Sequence, residues 1–109
     1  MALAIACTNE EQVPVTASPV TSSGQPAQID GALRVTVQSG DGTAVQDPAT
    51  PLVFTARSGD TPGDTVYLVE ADADLGAGTT LISDVVTLTV TSATAASFGL
   101  TQGAAEPKV

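Results

Sequence analysis

The sequence predicts an all-β sandwich of about seven short strands. No window of eleven or more residues repeats apolar side chains at the i, i+3, i+4, i+7 spacing of an amphipathic helix. Instead, short runs that alternate apolar and polar residues recur along the chain, and clusters of Gly, Pro, Asn and Asp separate them. The length of 109 residues suits one domain with one small hydrophobic core.

Two strands are predicted in the first third of the chain. An apolar run covers residues 13–16 and extends toward Val20, but Pro14 and Pro19 cannot donate a ladder hydrogen bond, so we expect an edge strand or two short strands with a break. Residues 33–37 follow a turn at 21–26. Their odd-numbered positions are apolar, which predicts one buried face.

Glycine-rich turns and further strands follow. Residues 39–42 have the sequence Ser-Gly-Asp-Gly and predict a hairpin-like turn, because glycine adopts a positive φ at little cost. Residues 43–46 are then a short return strand. Further strands are predicted at 52–56, 65–71 and 80–92, and the second of these is central because both of its faces are apolar.

The pattern fits an immunoglobulin-like β-sandwich with a short N-terminal arm and a loose C-terminal tail. Residues 1–8 do not form a signal peptide, because their apolar run is too short and no basic residue precedes it. We therefore assign them to a short arm or an edge strand. Residues 9–100 form the sandwich and residues 101–109 the tail. Phe98 and Leu100 are expected to pin the chain before the tail to the body.

The composition argues against catalysis. The chain has no His and no Trp, and Cys7 is its one cysteine. A His-based triad, a His metal site, a Cys₄ zinc site and a disulfide within the chain are therefore excluded. We expect a protein that is not an enzyme and that needs no cofactor.

The charge excludes two classes of partner. Twelve acidic and three basic residues leave a net charge of −9. Nucleic acids and anionic membranes attract clustered Lys and Arg, so we expect neither as a partner. No apolar stretch approaches the roughly 20 residues of a membrane span.

Three acidic residues form a candidate calcium site. Glu70, Asp72 and Asp74 are spaced two apart, so their side chains would converge if a strand continued through them. Oxygen ligands of this kind suit Ca²⁺. The alternative is an acidic loop in which Asp side chains hydrogen-bond to nearby backbone and form turns.

The N-terminal region also holds the candidate partner-binding residues. Leu3 and Ile5 lie in the predicted arm, and Val13 and Val15 lie in the predicted edge strand. An exposed edge must be covered, charged or paired. We therefore expect these segments to pair with a neighbour, either a second copy or another protein.

Three stretches, residues 8–31, 63–78 and 82–98, resemble a group of small phage-encoded Ig-like proteins, which are similar in outline to bacterial Ig-like modules of cell-surface proteins. The sequence departs from the family pattern at Leu33 and Arg34, where the family usually has a Trp. The matching positions are Gly24, Pro26, Ala27, Ile29, Asp30, Gly31, residues 71–76 and Gly78.

The resemblance implies an Ig-like fold and a role in the virion. A protein of this group would be a non-enzymatic capsid decoration protein, assembled in the host cytoplasm and displayed on the capsid surface. Its partner would be the major capsid protein or another shell protein, and a homo-oligomer is possible. The alternative is a bacterial cell-surface adhesion module that binds a carbohydrate or a protein. A small calcium-dependent enzyme is a third, weaker hypothesis.

Overall fold

The computed structural model describes residues 2–108, which contain seven β-strands and no helix. The strands form a four-stranded sheet with the order β1-β7-β6-β3 and a three-stranded sheet with the order β2-β5-β4. The predicted all-β class and the number of strands are confirmed. The strands are β1 (Ala2–Thr8), β2 (Gln12–Thr16), β3 (Asp30–Ser39), β4 (Thr43–Gln46), β5 (Val53–Arg57), β6 (Gly63–Asp72) and β7 (Leu81–Thr91).

The antiparallel pair of β6 and β7 forms the middle of the larger sheet. β3 pairs antiparallel with the other side of β6, so β6 is central, as its two apolar faces predict. β1 runs parallel to β7, with Ala2 opposite Val85 and Thr8 opposite Thr91. The two long strands thus position both β1 and β3 as edges.

The core lies between the inner faces of the two sheets. Phe54 on β5 and Tyr67 on β6 are fully buried, and their ring centroids lie 5.9 Å apart across the sandwich. Aromatic pairs at this separation add to the stability that burial alone supplies. The buried apolar side chains are Leu33, Phe54, Ala56, Tyr67, Ala71, Val86, Leu88 and Val90.

The prediction of a hairpin at residues 39–42 is wrong. β3 and β4 belong to different sheets, and β4 pairs antiparallel with β5 instead. Gly40 has a φ of 91°, and the amide of Gly42 donates a hydrogen bond to the hydroxyl of the buried Thr65 at 3.1 Å. The glycines therefore do reverse the chain, but they carry it from one sheet to the other.

The segment expected as an arm is an edge strand over residues 2–8. All seven residues of β1 are paired in regular register with β7. The turn after it is held by Asn9, whose amide donates to the carbonyl of Thr91 at 2.9 Å. The edge-strand interpretation of this segment is therefore the one that the structure supports.

The C-terminal segment is held to the body at its start, where the backbone amide of Ala93 donates to Asn9 Oδ1 at 3.0 Å, but not by its apolar side chains. Residues 92–108 contain no strand, and Phe98 and Leu100 are 94% and 88% exposed. The expectation that these two side chains anchor the segment is wrong. The last strand ends at Thr91, and every residue from 92 to 108 is exposed.

Candidate docking site

The acidic residues proposed as calcium ligands are occupied as hydrogen-bond acceptors. Asp72 Oδ1 accepts hydrogen bonds from the backbone amides of Asp74 and Thr80, both at 2.9 Å. Asp74 Oδ1 accepts from the amide of Gly76 at 2.8 Å. These bonds shape the loop between β6 and β7, which is the turn-forming role that Asp plays in many loops.

Glu70 faces a different partner. Its carboxylate lies 3.6 Å from the guanidinium of Arg34, which stands opposite it on β3. Arg34 is largely exposed, so the pair contributes little to stability. Within residues 2–108 no group of three acidic or Cys side chains is arranged to hold a metal ion. The three calcium candidates are thus close in sequence and are not brought to one point.

The four residues expected to bind a partner all lie on strands whose alternate residues face the core. On β1, Ile5 is partly buried and packs against the core cluster. On β2, Val13 and Val15 pack against the same cluster. These three side chains therefore serve the interior of their own chain. Leu3 differs, because it is 46% exposed.

The exposure of Leu3 marks an apolar groove between the two sheets. Leu3 shares the inner face of β1 with Ile5, but the sandwich is open at its level. A groove of about 210 Å³ lies there, lined by Leu3 from β1, Val15 from β2 and Phe54 from β5. Asp84 of β7 is the one charged residue among its lining residues. We call this space the apolar groove.

A second hollow continues from the apolar groove. It has a volume of about 330 Å³ and shares Ala17 and Asp84 with the groove. Its outer wall includes Val20 and Ile82, which are 61% and 46% exposed. One end of the molecule therefore presents several exposed apolar side chains, beside the polar residues Ser18, Glu70 and Ser83 that also line the second hollow.

The four edge strands differ in how they are protected from pairing with another chain. β2 carries Pro14, β4 has only four residues, and β3 carries Arg34 and two register irregularities. Prolines, short strands, charges and bulges all discourage edge pairing. β1 has none of these: its sequence is ALAIACT, and its register with β7 is unbroken.

The opposite end of the sandwich is polar and tightly hydrogen-bonded. The hydroxyl of Ser58 donates to the carbonyl of Glu11 at 2.6 Å, and the amide of Thr8 donates to the Glu11 carboxylate at 2.8 Å. Burial, followed by the nearby Glu11 carboxylate, raises the pKa of the Cys7 thiol. Cys7 is therefore a poor nucleophile at neutral pH, since the thiolate is the reactive form.

Sequence reasoning missed the apolar groove. Leu3, Val15 and Leu33 occupy inward positions of strands, and in a sequence such residues are indistinguishable from core residues. Two of these residues, Leu3 and Val15, were nevertheless among the partner-binding candidates, because they lie in apolar segments expected at an edge.

Comparison with known proteins bears on the fold alone. No protein-family model and no curated protein matches the sequence. Among solved structures, the chain is similar to a nucleoside hydrolase-related hypothetical protein from Saccharophagus degradans that is associated with carbohydrate metabolism. The TM-score is 0.60 at 12% identity over 83% of this chain, which spans 22% of that protein. Among the residues described here, there is no helix that could cross a membrane.

Proposed function

We propose that the chain is an immunoglobulin-like sandwich that acts as a non-enzymatic structural protein on the surface of a phage capsid. The strand order supports the fold, because β2-β5-β4 and β3-β6-β7 correspond to the B-E-D and C-F-G sheets of Ig domains.

The unprotected edge of β1 is the observation that supports a docking role. Seven residues without charge, proline or bulge leave one side of β1 open to a strand from another protein. Strand addition of this kind derives its affinity from backbone hydrogen bonds, so it does not require a deep pocket. In this proposal a strand of the shell protein extends the four-stranded sheet beyond β1.

The charge of the chain suits display in many copies. A net charge of −9 keeps the protein soluble and separates copies that are not bound to the shell. On a shell with repeated sites, each contact can be weak, because assembly multiplies many such contacts. The resemblance to phage Ig-like proteins, carried by residues 8–31, 63–78 and 82–98, directs the proposal toward a capsid.

The proposal is tested by co-sedimentation with purified empty capsids of the parent phage. The wild-type chain is expected to sediment with the shells. Ala4→Lys with Ala6→Lys places two charges on the exposed face of β1 and is expected to abolish co-sedimentation. Thr36→Lys adds a charge at an exposed position of β3, the other edge of the same sheet, and is the matched control. Failure of the wild-type chain to bind shells would overturn the proposal.

A surface adhesion module is the second candidate. The observation in its favour is that a similar fold makes up about a fifth of a longer protein that is associated with carbohydrate metabolism. This candidate predicts binding to a polysaccharide or a cell-surface protein and none to capsids. A glycan array probed with the wild-type chain separates the two candidates, since the decoration role predicts no glycan binding.

A further inference from the structure

The apolar groove and the C-terminal tail have complementary properties. The groove leaves the inner-face residue Leu3 46% exposed, although Ile5 on the same face is packed. The exposed tail begins at residue 92 and not at residue 101 as the sequence predicted, and its described part, residues 92–108, carries two large apolar side chains, Phe98 and Leu100, that nothing in the described part of the chain covers. The groove thus has space for an apolar side chain, and the tail has two apolar side chains exposed to solvent.

The dimensions of the groove suit an aromatic ring. A dry apolar cavity of about 150 Å³ in a protein is large enough to bind benzene. The apolar groove measures about 210 Å³, and its walls are apolar except for Asp84. A phenyl ring such as that of Phe98 therefore fits inside it, with space for part of a neighbouring residue.

The direction of the tail indicates which copy supplies the ring. The groove lies beside Ala2 and Val86, whereas the tail leaves the sandwich after Thr91, at the far end of β7. The molecule is 83 Å long, although β7, its longest strand, spans only about 36 Å. Since residues 92–108 are exposed throughout, the tail runs outward from the end opposite the groove.

The charge of the tail permits contact with an acidic body. Residues 93–109 contain one acid and one base, Glu106 and Lys108. Residues 1–92 contain eleven acids and two bases, which accounts for the full charge of −9. The tail has no net charge from its side chains, so it can approach the acidic body of a second copy without like-charge repulsion.

From these observations we propose that the apolar groove binds Phe98 from the tail of a second copy of this chain. Leu100 then lies toward the second hollow beside Val20 and Ile82. The contact is heterologous, because groove and tail are different surfaces, so copies join head to tail into rings or open chains. The groove lies between the sheets, so the proposal goes beyond the docking role and leaves the outer edge of β1 open.

The first test is sedimentation velocity of the full chain over a wide range of concentrations. The average mass of the wild-type chain is expected to rise above 10.8 kDa with concentration. Phe98→Ala with Leu100→Ala removes the two tail side chains and is expected to leave a monomer. Because both residues are almost fully exposed, this variant keeps the fold. Val45→Ala, at a half-exposed position on β4 remote from the groove, is the matched control and should associate normally.

The second test distinguishes a second copy from a tail that folds back on its own chain. Ala17→Arg is designed to block the groove, and Leu3→Asp is a second blocking variant at a half-exposed site that tolerates a polar residue. Far-ultraviolet circular dichroism verifies the fold of each. Neither blocked variant should associate alone. Mixed with the Phe98→Ala, Leu100→Ala variant, a blocked variant should form complexes of two chains, because one supplies a tail and the other a groove.

Three results would overturn the proposal: a wild-type chain that stays monomeric at every concentration, association that survives loss of Phe98 and Leu100, or mixtures that form no two-chain complex. The capsid experiment gives a separate answer. The variant that lacks the tail side chains should still sediment with capsids if the docking role of β1 holds, so failure of one proposal does not imply failure of the other.

Discussion

The hydroxyl of Tyr67 donates a hydrogen bond to the backbone carbonyl of Thr43, 3.0 Å away in the opposite sheet. The same hydroxyl lies 3.4 Å from the carbonyl of Arg57. The side chain of Tyr67 is itself fully buried. One phenol therefore links β6 of the larger sheet to the start of β4 and the end of β5 in the smaller sheet.

Tyr67→Phe is expected to destabilise the protein by about 1 kcal/mol, because it removes the hydrogen bond that the phenol donates to the carbonyl of Thr43. The ring that packs on Phe54 is kept, so the core is not emptied. Urea unfolding monitored by circular dichroism measures the change in the free energy of unfolding. Thr36→Val, at an exposed site on β3, is the control and should change that free energy by less than about 0.5 kcal/mol. Equal stability of Tyr67→Phe and wild type would show that the bond between the sheets contributes nothing.

Stability is expected to fall in alkaline solution. Burial is the main cause that raises the pKa of Tyr67 above its ordinary value near 10. As the pH rises through that value, the unfolded chain loses the proton while the folded chain keeps it. The unfolded state then binds fewer protons, so the free energy of unfolding decreases with pH.

Thermal unfolding from neutral pH to about pH 11 measures this loss, on both sides of the ordinary tyrosine pKa. A Cys7→Ser background removes the other group whose pKa is raised. In that background Tyr67→Phe should give a flatter profile than the chain that keeps Tyr67. Identical profiles would mean that Tyr67 ionises as readily in the folded protein as in the unfolded chain.

Two glycines with similar backbone angles are expected to respond differently to substitution. Gly40 and Gly24 have φ values of 91° and 84°, a region that strains any residue with a Cβ. A Cβ at Gly40 would lie 2.5 Å from the hydroxyl of Thr65 and 2.6 Å from the carbonyl of Asp64, whereas one at Gly24 would meet nothing within 4 Å. Gly24→Ala should therefore cost about 1–2 kcal/mol and Gly40→Ala about 3 kcal/mol or more. Urea unfolding of the two variants measures their free energies of unfolding. A larger loss for Gly40→Ala would show that the connection between the sheets is closely packed at Gly40, and equal losses would show that it is not.

Calcium is expected to have no effect on stability. The carboxylates of Asp72 and Asp74 accept backbone hydrogen bonds within the β6–β7 loop, and Glu70 faces Arg34. Thermal unfolding in excess Ca²⁺ and in excess chelator should give the same Tm. Asp72→Ala should lower the Tm in both, because the amides of Asp74 and Thr80 lose their acceptor. A Tm that rises with calcium only when Asp72 is present would restore the metal-site hypothesis.

The sequence by itself determined the all-β class, the approximate positions of the strands and the absence of the residues that a His- or Cys-based active site requires. Apolar and polar side chains alternate along residues 33–37 and 80–92. Because this alternation is a local property of strands, it predicts them without knowledge of the fold. The central position of β6 was predictable as well, because a strand that is covered on both faces is apolar on both. The hydrogen bonds from loop amides to the Asp side chains of the β6–β7 loop are local turn contacts, which the sequence also predicted as the alternative to a calcium site.

Only the tertiary structure decided which strands pair and where the interior remains open. Glycines at 40 and 42 indicate a reversal of the chain, but the choice between a hairpin and a crossing to the other sheet depends on contacts with Thr65, 23 residues or more away in sequence. The residues Leu3, Ile5 and Val15 look alike in the sequence. Ile5 is covered and Leu3 is not, because coverage depends on how far the opposite sheet extends at each level. Apolar burial is a property of surfaces that distant segments share, so the sequence alone identifies the apolar face and the fold identifies the part of it that remains free.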